Sequence, residues 1–279
     1  MIHLKKGLML FAFLGQFMTL SAQVKVQKDI NYTDANNRYR QLDIYYQKDL
    51  AVKDVIIFIH GGSWSSGKKD TYWWLGRNLA RKGIVAVNIN YDLAPDHQFI
   101  RMAQDCAFAV KWVKNHIYQY GGNPNRIFLM GHSAGGHLAE LINDDPRYFK
   151  HADIANPVKG VILNDAFGLD MKEYMSHAEK DKSYYDFLRT FSNDPINWEK
   201  GSPLYYIENC KNPHLIFYGE KTYPAIQQQS ERFNKLLVAA GVPTELHIIK
   251  GKKHVAMISQ LVFGSNHLYD LIIKFLKRT

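Results

Sequence analysis

Arg126-Ile-Phe-Leu-Met-Gly131-His132-Ser133-Ala134-Gly135-Gly136-His137 is the stretch on which the fold of this 279-residue chain turns. A short apolar run ends in Gly-x-Ser-x-Gly, and a helical pattern, Gly136-His-Leu-Ala-Glu-Leu-Ile142, begins at once. A serine in so sharp a strand-to-helix turn has a strained main chain and an exposed hydroxyl. A β-carbon two residues to either side would collide with neighbouring backbone, which is why glycine stands there. The amino end of the following helix points free N–H groups at whatever the serine attacks. The pattern predicts Ser133 as a nucleophile.

Outward from this turn, apolar runs alternate with helical periods. Residues 24–33 and 40–47 alternate like an antiparallel entry hairpin, and Val55–Ile59 follows as a buried strand. A helix at about 70–82, a strand over Ile84–Asn90 and a long helix at about 99–117 precede the serine strand. Val158–Leu163, His214–Tyr218 and Thr244–Ile249 read as further buried strands, with helices near 225–240 and 266–277. This order predicts an α/β fold with a mostly parallel sheet covered by helices on both faces, and a site at the carboxyl ends of its strands. The exception is 166–205, which is polar and rich in aromatics (Tyr174, Tyr184, Tyr185, Phe187, Phe191, Trp198). It reads as a small helical cap over the site or as a surface excursion whose aromatics pack on the body.

Residues 1–22 stand apart. Lys5-Lys6 precede an apolar centre, Leu8–Leu14 and Phe17–Leu20, and Leu20-Ser21-Ala22 resembles a cleavage site before Gln23. The apolar core is short and interrupted by Gly15-Gln16, which favours a removed export signal over a membrane anchor and leaves 23–279 as one domain. The formal charge of +9 is not gathered into a basic run or an aromatic–basic stripe, so nucleic acid is not an expected partner. Cys106 and Cys210 make no metal spacing and read as buried free thiols.

The strand Val55–Ile59 runs into His60-Gly61-Gly62-Ser63-Trp64. Acyl transfer builds an oxyanion, and amides of Gly61, Gly62, Ser63 and Trp64, with the N–H of Ala134 after the nucleophile, are its expected donors. A tight turn around a buried Trp64 is the plainer reading of the same loop. Gly62-x-x-x-x-Gly67-Lys68 also has the spacing of a phosphate-binding loop, but Lys69 stands where a Ser or Thr should hold magnesium. The expected base is His254, after the last strand in Ile249-Lys-Gly-Lys-Lys-His254, reaching the serine from a loop. His60 is expected to brace its turn, and His132 and His137 to pack.

With these residues in hand, the chain resembles an α/β-hydrolase of the small carboxylesterase group, acetyl- and feruloyl-esterase-like and kynurenine-formamidase-like. The resemblance rests on His60–Trp64, Asn90-Tyr91-Asp92-Leu93-Ala94-Pro95, Gly131–Gly136, Trp198 with Ser202-Pro203, and Gly251-Lys-Lys-His254. It covers about residue 30 to the end. It implies a Ser–His–acid triad, no metal or organic cofactor, and hydrolysis through an acyl-enzyme. One departure matters. In the relatives the acid lies three residues after the glycine ending the strand before the Gln-Ser helix, and here that position is Thr222.

A threonine cannot stabilise an imidazolium as a carboxylate does. Asp165, in Leu163-Asn164-Asp165-Ala166, ends the preceding strand and is the first choice, as in some similar lipases. Glu220 is the alternate, although it directly follows the glycine; absence of any acid is the third possibility. Asp170 matches a structural aspartate of the relatives. The expected function is an exported, periplasmic or secreted serine esterase acting on a small acyl ester, carbohydrate-linked in one version. An amidase or formamidase with the same triad, or a non-catalytic binding protein on this scaffold, are the alternatives.

Overall fold

The computed structural model describes residues 23–34, 37–48 and 51–279. The export signal expected at 1–22 lies outside them. Eight strands form one sheet: β1 (Val24–Asn31), β2 (Gln41–Gln47), β3 (Lys53–Ile59), β4 (Val85–Ile89), β5 (Gly122–His132), β6 (Val158–Asn164), β7 (His214–Gly219) and β8 (Thr244–Ile249). Their order is β1-β2-β4-β3-β5-β6-β7-β8. The entry hairpin pairs antiparallel within itself and onto β4, and all pairs from β4 to β8 are parallel.

Ten α-helices accompany the sheet among the described residues: α1 (Trp73–Arg81), α2 (Phe99–His116), α3 (Ala134–Asp144), α4 (Pro146–His151), α5 (Met171–His177), α6 (Lys182–Phe191), α7 (Pro195–Lys200), α8 (Pro224–Ala239), α9 (His254–Ser259) and α10 (Leu268–Arg278). Side chains alternate across a strand, so β3 feeds two cores at once. Val55, Ile57 and Ile59 join the core under α2, α3 and α8, while Ile56 and Phe58 join the one under α1, α9 and α10. Each such side chain, fully buried, contributes about 1.5–3 kcal/mol, so an apolar run with no polar alternation fits a strand covered on both faces. No helix of the described residues is long and apolar enough to cross a membrane. Cys106 and Cys210 are both buried and free.

The segment 166–205 forms α5, α6 and α7, each opened by an aspartate side chain that accepts a main-chain N–H. Asp170 takes the N–H of Glu173, Asp181 that of Tyr184, and Asp194 that of Ile196. Phe187, Phe191 and Trp198 are buried with the body, whereas Tyr174, His177 and Asp181 face a cavity over the strand ends. Two elements differ from the expected pattern. A 3-10 turn over Lys69–Tyr72 precedes α1, and the short helix α9 replaces the loop expected at His254. Met257 and Ile258 explain α9: they drop into the core one turn after His254 and pin its start.

Candidate active site

Ser133 sits between β5 and α3 with φ 55° and ψ −125°, a left-handed conformation that a serine holds only when its surroundings dictate it. Those surroundings are two close approaches. A β-carbon at Gly131 would lie 2.2 Å from the Gly135 carbonyl oxygen, and one at Gly135 would lie 2.1 Å from that of Ile59. The turn can therefore close only with glycine on both sides of the serine. The Asn164 carbonyl accepts the Ser133 N–H at 3.3 Å, and the Ser133 carbonyl accepts the amides of His137 and Phe167. The hydroxyl is left facing the cavity.

The side chains expected around it come from two other places: Asp165 just after β6, and His254 at the start of α9 after β8. The Ser133 hydroxyl donates to His254 Nε2 at 2.9 Å. On the other edge of the ring, His254 Nδ1–H donates to Asp165 Oδ2 at 2.6 Å. Donation from Nδ1 fixes the neutral tautomer in which Nε2 carries a lone pair, the form able to take the hydroxyl proton. Asp165 is fully buried and follows β6 with φ 54°. Three donors converge on its carboxylate: the Gly219 N–H reaches Oδ1 at 2.8 Å, and the Thr222 hydroxyl reaches Oδ2 at 2.5 Å beside the imidazole. Three hydrogen bonds and an adjacent ring that can become cationic offset the desolvation of a buried charge. The side chain at 222, where the relatives' acid was expected, thus supports the carboxylate that arrives from the neighbouring strand.

Glu220 is not the partner of His254. It is exposed, and its Oε2 accepts the Gly251 N–H at 2.7 Å. As the residue after the strand's last glycine it turns away from the ring, and it ties the β7 end to the turn that leads to His254. The Asn164 side chain completes the positioning by donating to the Met257 carbonyl at 3.1 Å, which fastens α9 to the end of β6.

Two aromatic rings flank the imidazole, one stacked and one tilted. His132 stacks on it with centroids 4.8 Å apart, and Tyr223 lies at 5.1 Å. His132 Nε2–H also donates to the His254 carbonyl at 3.2 Å. Burial, with the neighbouring His254 adding to it, pushes His132 down to about 4, so it stays uncharged beside the ring. His137 is likewise pushed down to about 4 by burial; it accepts from Trp64 Nε1–H at 3.2 Å and donates to the Gly201 carbonyl at 2.6 Å. His60 donates to the Gly61 carbonyl at 2.8 Å and stacks on Tyr91 at 4.4 Å. All three therefore pack and brace.

The loop after β3 lies against the elbow. A β-carbon at Gly61 would come within 2.8 Å of the His132 carbonyl oxygen and 3.2 Å of Ser133 Cβ. Gly62, Ser63 and Trp64 all have positive φ, and the Gly62 carbonyl accepts the amides of both Ser65 and Ser66. The amides of Gly61, Gly62, Ser63, Trp64 and Ala134 donate no hydrogen bond within the described residues, which leaves them free for an anion. Trp64 is also the anchor that the plainer reading expected. It is fully buried, edge-on to Phe187 and Phe191 at 5.5 and 4.9 Å. The phosphate-loop reading finds no support. Lys69 is buried with its ammonium on Asp29 and Asp43 at 2.6 and 2.7 Å, and Lys68 is exposed.

Ser133 and His254 open into a cavity of about 870 Å³. Phe167, Tyr174, Phe187 and Tyr223 form its apolar walls, and Glu179 and Asp181 lie at its rim. A second group of chemically capable side chains lies away from it, between α3 and β7. Glu140, Cys210 and His214 are all buried, and one donor atom from each falls within 4.8 Å of the others. His214 Nε2 lies 2.9 and 3.0 Å from the two Glu140 oxygens. Burial pushes Glu140 up to about 7 and His214 down to about 4, which favours a neutral pair sharing a single proton. A search for paired-cysteine spacing overlooks this group because its donors come from three residue types spread over 140–214.

The model of the BD-FAE family matches residues 42–237. Among curated proteins, the chain is 27% identical over 264 residues to an isoprenylcysteine alpha-carbonyl methylesterase of Arabidopsis thaliana, covering 89% of this chain and 61% of that protein. It is 25% identical over 264 residues to the kynurenine formamidase of Danio rerio, covering 90% of this chain and 82% of that protein. The chain spans between 52% and 61% of the length of the Arabidopsis methylesterases it matches. In fold it resembles esterase B from Lactobacillus rhamnosis, with a TM-score of 0.77 at 19% identity, covering 91% of this chain and 84% of that one.

Proposed function

The chain belongs to the BD-FAE family within the α/β-hydrolase carboxylesterase group, and from that premise we propose that it is a serine esterase hydrolysing a small acyl ester through an acyl-enzyme on Ser133. The observation that carries this reading is the unbroken hydrogen-bonded line from Asp165 through His254 to Ser133 at the floor of the cavity. His254 takes the hydroxyl proton as Ser133 attacks the acyl carbon, and Asp165 steadies the imidazolium that results. The tetrahedral oxyanion is held by the amides of Ala134, Ser63 and Trp64, with Gly61 and Gly62 letting the loop approach. The imidazolium then gives its proton to the departing alcohol. A water, deprotonated by the same ring, releases the acid.

The cavity favours an ester with an apolar or planar part against Phe167 and Phe187 and a hydroxyl-bearing part, such as a sugar, at the Glu179 and Asp181 rim. A fluorophosphonate probe is expected to label Ser133, and a nitrophenyl acetate to give a burst of chromophore equal to the enzyme present. An unlabelled Ser133 with no burst would replace the esterase by a non-catalytic binding protein. An N-formyl anilide turned over faster than the ester would replace it by an amidase, a reading that similarity to a formamidase keeps in view.

Thr222→Val is expected to lower turnover about tenfold with little change in KM. It removes one charge-assisted hydrogen bond from Asp165 but leaves the carboxylate and the Gly219 N–H in place. Wild-type turnover in this variant would mean that the hydroxyl does nothing for the acid.

We also propose export, with 1–22 as a removed signal and 23–279 as the hydrolase domain carrying 166–205 as its cap. The lysine pair and interrupted apolar core support this. N-terminal mass analysis of the extracytoplasmic protein is expected to find Gln23 first, and an intact Met1 on cytoplasmic protein would overturn it.

A further inference from the structure

We propose that Glu140, Asp144, Cys210 and His214 form a closed site for one zinc ion, which fastens the far end of α3 to the entrance of β7. None of the four takes part in the ester chemistry above, and all are buried. Glu140 and Asp144 lie one helical turn apart and share a face of α3. Cys210 and His214 bracket the loop that enters β7.

The donor set suits this ion. A thiolate, an imidazole and two carboxylates are the mixed soft and hard ligands that zinc accepts in four-coordinate structural sites. The Cys210 sulfur lies 4.0 Å from His214 Nε2, and that nitrogen lies 2.9 and 3.0 Å from the Glu140 oxygens. With bonds of roughly 2.0–2.3 Å, tetrahedral ligands stand roughly 3.2–3.8 Å apart, so small shifts suffice for Glu140, Cys210 and His214, while Asp144, outside that 4.8 Å group, has to turn toward it to supply the fourth ligand. The surroundings are arranged as an outer ring of support. The His214 ring hydrogen-bonds the Asn212 main chain, and since Nε2 faces Glu140 this engages Nδ1 and aims the Nε2 lone pair at the carboxylate. The Asn212 main chain also hydrogen-bonds the Cys210 sulfur, which suits a thiolate.

The independent pointer is Asp144. Its carboxylate faces Glu140 and Cys210, yet its Oδ2 is buried without a hydrogen-bond partner, while Oδ1 accepts from Asn143 at 2.8 Å. A buried carboxylate oxygen without a partner is costly. A cation at the centre of the group would satisfy it together with the facing lone pair of His214. Binding displaces to solvent the Cys210 thiol proton, the proton between Glu140 and His214 and the proton that burial favours on the Asp144 carboxyl, so the ion enters as those protons leave. Asp144 and Asn143 border an open cleft of about 670 Å³ that also touches Asn212, which gives the ion a way in.

The test uses the full-length protein, stripped with a chelator and then dialysed against zinc. Elemental analysis is expected to find about one zinc per chain, and Cys210→Ser and His214→Gln to lose most of it. Cobalt added to the stripped wild type should give a thiolate-to-cobalt charge-transfer band that Cys210→Ser lacks, and zinc should raise the wild-type Tm by several degrees. Wild-type protein that retains no zinc, or cobalt bound without the charge-transfer band, would overturn the site. Variants that hold as much metal as wild type would overturn it too. The cobalt spectrum decides on wild-type protein alone if a variant does not fold.

Discussion

Ser133→Ala is expected to cut ester turnover on the order of a thousandfold or more while leaving the fold intact. The loss follows from chemistry: among the described residues the Ser133 hydroxyl is the one side chain that hydrogen-bonds His254 Nε2, and with it gone the ring has no nucleophile to deprotonate. The fold survives because the hydroxyl makes only that one side-chain bond and no main-chain cap. The left-handed φ of 55° suits alanine no better than serine, so a small loss of stability is expected alongside. Residual hydrolysis would come from the free amides and the binding of the ester. A variant retaining most of its rate on a short acyl ester, with an unchanged circular dichroism spectrum, would remove Ser133 from the mechanism.

Asp165→Asn is expected to lower turnover on the order of a thousandfold, and Glu220→Gln to change it little. All donors around Asp165 point inward: His254 Nδ1 and the Thr222 hydroxyl at one oxygen, the Gly219 N–H at the other. An amide offers one acceptor oxygen, so its NH2 must face a donor whichever way it turns. Facing His254, it drives the ring to the tautomer that protonates Nε2 and blocks proton removal from Ser133. Because a buried donor pair also costs stability, both variants need a thermal melt beside the rate measurement. A large loss in Glu220→Gln with a near-normal Asp165→Asn would move the acid to 220. Two near-normal rates would leave Ser133 and His254 as a dyad.

The sheet was legible in the sequence because its strands, covered on both faces, appear as uninterrupted apolar runs such as Val55–Ile59 and Val158–Leu163. The elbow was legible for a different reason, since its close backbone approaches admit only glycine at 131 and 135. The helices of 166–205 were not. Two of them, at seven and six residues, are too short to display a period, and the plainest sign of all three was the aspartate that opens each one. Nor does spacing reveal α9, whose six residues are fixed by the burial of Met257 and Ile258. Pairing Asp165 with His254 depends on strand order, because the two are 89 positions apart and follow β6 and β8, which the sheet sets on either side of β7. The Glu140, Cys210 and His214 group escaped for the same reason.

The distance between Thr222 and Asp165 bears on how relatives of this chain are judged. An alignment examines columns, and at 222, where the resemblance leads one to expect the acid, this chain has a threonine. A carboxylate nonetheless stands 2.5 Å from that threonine's oxygen, brought by a different strand. What the imidazole requires is an anion at a point in space, and two neighbouring strand ends can both reach that point. Homologues discarded as inactive for lacking the acid at this column should be rechecked for an aspartate at the end of the adjacent strand.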